Sequence, residues 1–236
     1  MKTIGLIGGM SWESTASYYK LLNEGVKEKL GGFHSAKIVM HSVEFDEIHR
    51  LQFENKWDEA GEILAELSLS LEHAGADFII ISTNTMHKVV PIISKKISIP
   101  ILHIAKATAE AINKKSCKKS ILLGTKFTMS EDFNKKIFEE EGIEIITPNE
   151  QEMLDIDKII FEELVHGKIL EKSKKRYIEI VENLYNQNKQ IDSVILGCTE
   201  IGLLIQKDDI SLQIFDTTPI HVKKALELAL LDEKIA

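Results

Sequence analysis

"VILGCTEIGL" (194–203) ends an aliphatic run in Gly197-Cys198-Thr199-Glu200, and Cys198 is one of only two cysteines in the chain. A thiol at the mouth of a site can serve as nucleophile or general base where backbone N–H groups lower its pKa. It can equally be a small core residue, since free cysteine is among the most buried residue types. A second stretch repeats the outline. "DFIIISTNT" (77–85) lies above "DSVILGCTE" (192–200), with Asp77 on Asp192 and Thr83 on Cys198, an offset of 115 residues both times (192 − 77, 198 − 83). Cys117, inside the charged stretch "KKSCKK" (114–119), reads as incidental. The eight histidines show no HExxH or clustered pattern, and two cysteines make neither a disulfide framework nor a familiar metal site, so no metal is expected.

Strands must hold these polar tails in place. Short aliphatic runs alternate with longer helical patterns, which implies parallel sheets with crossover helices, an α/β class. The candidate strands are "TIGLIG", "AKIVMHSV", "ADFIIIS", "IPILHI", "SILLGT", "IEIITP", "DSVILG" and "LQIFD". Between them, "NKWDEAGEILAELSLSLEHAG" (55–75) places Ala60, Ile63, Leu64, Leu67 and Leu71 on one helix face, with Gly75 as its stop. Two more pairs fall near the same offset: Gly8 with Gly124, 116 apart, and Ile101 with Ile214, 113 apart. Three matches in one order predict two similar α/β halves related by pseudo-twofold symmetry. Ligands of open α/β sheets bind beyond the carboxyl ends of the strands, so Thr83 and Cys198 are expected to approach a shared cleft from opposite sides.

Composition narrows the partners. Of 236 residues, 44% are apolar and 28% charged, with a formal net charge of −8, which disfavours nucleic acid and anionic membrane surfaces. No apolar run reaches membrane-spanning length, and "MKTIGLIGGMS" reads as an opening buried strand rather than a signal peptide, so a cytoplasmic protein is expected. "GLIGGM" (5–10) lacks full G-x-G-x-x-G spacing, and neither a P-loop nor a G-x-S-x-G elbow is present.

Four stretches together, "TIGLIGGMSWEST", "TNTMHK" (83–88), "LLGTKFTM" (122–129) and "GCTEIGLL" (197–204), resemble the aspartate/glutamate racemase family over nearly the whole chain. The match is closest to its L-aspartate/glutamate-specific branch. The resemblance implies two Rossmann-like domains with parallel sheets flanked by helices and the site in the cleft between them. On this reading 1–115 plus 212–236 form the half carrying Thr83, and 116–211 the half carrying Cys198. It further implies a homodimer, an acidic amino acid as substrate, and proton exchange at Cα without pyridoxal phosphate or another cofactor. The family's usual acid/base pair is two cysteines. Here Cys198 keeps the second position, while Thr83 occupies the first, and a hydroxyl is the poorer general base near neutral pH. Three consequences stay open: slow racemisation biased towards the L enantiomer, α-proton exchange without inversion, or binding of an acidic amino acid without turnover. Single-cysteine decarboxylases and isomerases of the wider superfamily are a further alternative.

Position-matching to the family implies Asn84, Thr85 and Thr199 as hydrogen-bonding groups, Glu200 near the substrate ammonium, and Met10 and Gln52 as pocket residues; Thr125 supplies another donor. Each polar residue among them could instead cap a turn. The partner of the distal carboxylate is Arg50, Gln52 or Lys168, with Arg50 equally readable as a solvated helix charge. His87 reads as a satisfied structural histidine.

Overall fold

The computed structural model describes residues 1–231, which divide into two compact units. The first comprises 1–104 and the segment from His221 on; the second is 105–220. In chain order the elements are β1 (Ile4–Gly8), α1 (Trp12–Leu30), β2 (Ile38–Ser42), α2 (Phe45–Phe53), α3 (Trp57–His73), β3 (Phe78–Ile81), α4 (Val90–Ile93) and α5 (Ile104–Lys114). They continue as β4 (Lys119–Gly124), α6 (Lys126–Ser130), α7 (Asp132–Glu140), β5 (Glu144–Ile146), α8 (Glu150–Glu162), α9 (Glu171–Gln187), β6 (Ser193–Gly197), α10 (Ile201–Leu204), β7 (Gln213–Asp216) and α11 (Thr217–Ala229).

The first unit holds a parallel sheet in the order β2-β1-β3. Its central strand and β3 are buried along their full length, as strands covered on both faces must be. On one face α1 lays Tyr18, Leu22 and Val26, spaced four apart, against Ile4, Leu6, Phe78 and Ile80, joined by Val222, Ala225 and Leu226. Ser11 starts α1 by accepting from Ser14 N–H at 3.2 Å. The expected helix face on α3 is present, with Ala60, Leu64 and Leu71 buried. Gly75 ends that segment at φ +91°, a conformation that L side chains rarely adopt.

The second unit holds four parallel strands, β5-β4-β6-β7. One face packs α8 and α9 through Ile156, Ile160, Tyr177, Ile180 and Val181 onto Ile121, Leu123, Val194 and Leu196; the other receives α5 and Phe138 on Leu122, Ile195 and Phe215. A reciprocal capping box of Asn149 and Glu152 starts α8.

The repeat is built into the hydrogen bonding. Gly5 pairs with Ile79 as Ile121 pairs with Val194, the same register in each unit. Asp77 accepts from Thr3 N–H at 2.6 Å, and Asp192 accepts from Lys118 N–H at 2.7 Å. Each carboxylate therefore fastens the chain before its strand to the start of the neighbouring central strand. The third match also holds in place: Ile79 bridges Ile101, and Val194 pairs with Ile214.

Two expectations need correction. "IPILHI" is not a full strand but an isolated bridge at Ile101, because Pro100 brings no N–H and α5 begins at Ile104. The unit boundaries fall at 104/105 and 220/221 rather than 115/116 and 211/212. The physical reason is packing: Ala105, Ala109 and Ile112 of α5 join the β4/β6/β7 core, and β7 pairs with β6.

Two buried imidazoles hold the ends of the 101–104 segment. His221 donates from Nε2–H to Leu102 C=O (2.8 Å) and accepts from the Tyr18 hydroxyl at Nδ1 (2.9 Å). His87 accepts at Nε2 from Ile104 N–H at 3.2 Å. Desolvation lowers His87 to about 4 and His221 to about 3, the latter helped by His87. The unfolded chain takes up these protons near pH 6.5 while the folded chain refuses them. Their stabilising contribution is therefore complete above pH 6.5 and lost as pH falls towards 4 and 3. Urea unfolding at pH 7 and pH 4 is expected to show a loss on the order of 3 kcal/mol per ring. A flat stability profile across that window would contradict the buried neutral rings.

Candidate active site

In each unit a candidate acid/base residue follows the paired strand ends. In the first, Ser82 N–H continues the ladder to Ile7 C=O at 2.9 Å, and Thr83 follows where the chain turns away. The Thr83 side chain is part-exposed, and its hydroxyl has no hydrogen-bond partner among the described residues. Asn84 and Thr85 are buried, opening the 3-10 turn Thr85–Val89. Next to them, Ser14 Oγ donates to Ser82 C=O (2.8 Å) and Thr15 Oγ1 accepts from Gly9 N–H (2.8 Å). That stitching puts the Gly9–Met10 turn beside the end of β3, with Met10 buried. Gly8 has to be glycine, because a Cβ there would lie 2.3 Å from the Thr15 side chain.

Gln52, from the last turn of α2, is buried and donates from Nε2 to the Met86 sulfur at 2.9 Å. The first unit thus collects Met10, Gln52, Thr83, Asn84 and Thr85. Arg50 does not join them. It is exposed on α2 and faces Glu54 at 3.8 Å, a solvated helix charge. Lys168, after the left-handed Gly167, is exposed as well.

In the second unit Gly124 pairs with Gly197, so Thr125 and Cys198 lead off side by side from adjacent strands. Thr125 spends its oxygen as the cap of α6, accepting from Thr128 N–H at 3.3 Å. This favours the capping role over that of an extra donor. Cys198 is 8% exposed, and its Sγ–H donates to Glu200 Oε2 at 3.0 Å; the Thr199 hydroxyl donates to the same oxygen at 2.7 Å.

This reverses the expected direction for the thiol. Burial, then the Glu200 charge and hydrogen bond, push Cys198 well above its ordinary value near 9, with Asp157 adding to the push. The Tyr177 hydroxyl, packed in the same cluster, is raised by burial and by the same acidic neighbours. At rest, then, Cys198 is a thiol with a carboxylate placed to receive its proton. Glu200 is tied to Cys198 and Thr199 rather than pointing only to a substrate ammonium. The spacing of "CTE" is the sequence signal for this coupling. Asp216 was missed, being a lone acid at the end of β7. Its carboxyl is raised to about 6 by desolvation against the opposing Thr218 N–H bond, and it lies against Gly202, where a Cβ would come within 2.1 Å of Oδ2.

No group of three or more metal-ligating side chains occurs among the described residues. No helix among them is long and apolar enough to cross a membrane.

Two α/β units of matching topology, with a thiol–carboxylate pair on one strand end and a hydroxyl at the repeat-equivalent end, have the fold of the two-domain α/β racemases. Residues 7–225 match the Asp/Glu/hydantoin racemase family, and the chain belongs to it. It is similar to a Yersinia pestis protein assigned to the Asp/Glu racemases, at 46% identity over 98% of this chain and 100% of that one, with a TM-score of 0.90. An aspartate racemase homologue from Pyrococcus horikoshii OT3 is 39% identical over 97% and 99% of the two chains, with a TM-score of 0.84. The broad specificity amino-acid racemase RacX of Bacillus subtilis is 24% identical over 171 residues, 72% of each protein.

Replacing Glu200 with Gln removes the charge that opposes ionisation. The Cys198 titration, read as thiolate ultraviolet absorbance against a Cys198→Ser baseline, is expected to move down in pH. An unmoved titration would show that burial alone holds the proton on sulfur.

Proposed function

We propose that the chain is a cofactor-independent racemase of acidic amino acids, working on aspartate and glutamate by removing and returning a proton at Cα. The observation that carries this reading is the Cys198 thiol aimed at Glu200 on one strand end, with Thr83 at the equivalent end of the other unit. Racemisation needs one group for each face of Cα. Cys198 serves one face. Its Sγ–H passes its proton to Glu200, the thiolate takes the Cα proton, and the electron pair spreads into the α-carboxylate. The Thr83 hydroxyl delivers a proton to the opposite face and is refilled from water, while Glu200 returns to water the proton it took from Cys198. Because a hydroxyl is the weaker base, turnover is slow and unequal in the two directions, with the L enantiomer handled better as the branch resemblance implies.

Met10 lines the pocket and Asn84, Thr85 and Thr199 hydrogen-bond the substrate on this reading, with Thr125 kept as the cap of α6 and Glu200 shared between the thiol and the ammonium. Gln52 takes the distal carboxylate: among the described residues its side-chain amide bonds only a thioether, which leaves most of its capacity for a ligand. Arg50 and Lys168 are not used. The reading is completed by a cytoplasmic homodimer, as the family resemblance implies.

Proton NMR in D₂O of separate L- and D-aspartate and glutamate samples, with chiral chromatography of the same tubes, tests it. The α-proton signal is expected to disappear and the opposite enantiomer to appear, at unequal rates from the two sides. Cys198→Ser is expected to slow both by roughly a hundredfold or more. Thr83→Cys is expected to bring the forward and reverse rates closer. Exchange without inversion would leave Cys198 acting alone; no exchange from any of the four would favour a binding protein or another substrate.

A further inference from the structure

The two units share a skeleton but fix their reactive turns differently, and the difference falls on one residue. The repeat offset of 115 carries His87 onto Gly202 (202 − 87). In the second unit that glycine leaves room for the Asp216 carboxyl, which accepts from Thr218 N–H in the first turn of α11 at 3.0 Å. In the first unit no such carboxylate follows the Ile101 bridge, and the imidazole of His87 reaches across instead. Its Nε2 accepts from Ile104 N–H, the first residue of α5, while its Nδ1 bonds Thr83 C=O at 2.8 Å.

These partners leave one protonation state. A carbonyl can only accept, so Nδ1 carries the hydrogen; a backbone N–H can only donate, so Nε2 is bare. His87 is 2% exposed, and the His221 and His103 rings stand 5.8 and 4.6 Å away, centroid to centroid. These two bonds hold the ring in this tautomer, and the backbone carbonyls of Asn84 and Leu102 also face it.

We infer that His87 is the positioning residue of Thr83: its Nδ1–H holds the Thr83 carbonyl, and so sets the direction of the Thr83 hydroxyl, while Nε2 anchors the turn to the start of α5. This rests on the proposed racemase reading, in which Thr83 serves one face of Cα and Cys198 the other. A residue that merely supports the core would lower both faces together. A residue that positions Thr83 weakens only the step that Thr83 performs.

The test compares His87→Asn and His87→Leu with the unaltered protein and with Thr83→Ala, all checked for folding by thermal unfolding. Asn places an amide nitrogen near the Nδ1 position and can still donate to the Thr83 carbonyl; Leu cannot. For each protein, α-proton exchange in D₂O is followed from each enantiomer of aspartate, and inversion is measured in the same tubes. In His87→Leu the ratio of inversion to exchange is expected to fall at least tenfold, towards that of Thr83→Ala, with exchange at the Cys198 face retained. His87→Asn is expected to recover most of that ratio. Nitrogen-15 NMR of the unaltered protein is expected to show His87 neutral, with its hydrogen on Nδ1. Equal losses at both faces, an Asn variant no better than Leu, or a hydrogen on Nε2 would each overturn the positioning role. Absence of exchange from all substrates in the unaltered protein would instead remove the racemase reading itself, and this inference with it.

Discussion

A thiol buried beside a carboxylate resists ionisation, because both burial and the neighbouring charge favour keeping the proton on sulfur. The second unit is arranged around that constraint. Pairing Gly124 with Gly197 sets the level at which β4 and β6 end, and the next residue on β6 is Cys198. Two residues on, Glu200 turns back, and its oxygen collects hydrogens from both Cys198 and Thr199. A thiol held this way is poor as a standing nucleophile and well placed as a proton carrier. A substrate arriving with its own charges changes the balance at the moment of reaction, which is when a general acid/base needs to ionise.

The first unit shows how little of this is demanded by the skeleton. Register, the aspartate at the amino end of the third strand and the glycine-ended central strand all recur. What differs is confined to the last few residues beyond the strands. There a hydroxyl stands in place of a thiol, and an imidazole does for α5 what a carboxylate does for α11. Both devices answer the same need, a partner for backbone N–H groups at a helix start.

Much of the architecture was open to a reader of the residues alone. Short aliphatic runs placed the strands, period-3.6 spacing placed the α3 face, and the offset of 115 announced the duplication. The unit boundaries were less legible, because α5 and β7 are bounded by what they pack against, and packing partners are distant in sequence. At the site, the identity of Cys198 could be read but not its protonation state, which depends on its own burial, Glu200 and Asp157 acting together. Arg50 and Thr125 were ambiguous in the sequence for a shared reason. Their side chains can bind a ligand or satisfy local groups, and only geometry shows that Arg50 faces Glu54 and that Thr125 caps α6.

Asp77 and Asp192 sit at the amino ends of their sheets, whereas Thr83 and Cys198 sit at the carboxyl ends. On the racemase reading each unit therefore has a fastening end and a working end, one strand length apart, and the fastening uses none of the side chains assigned to the chemistry. A fold divided in this way tolerates experiment: a cysteine can give way to a threonine, or a carboxylate to an imidazole, while strand register is inherited unchanged.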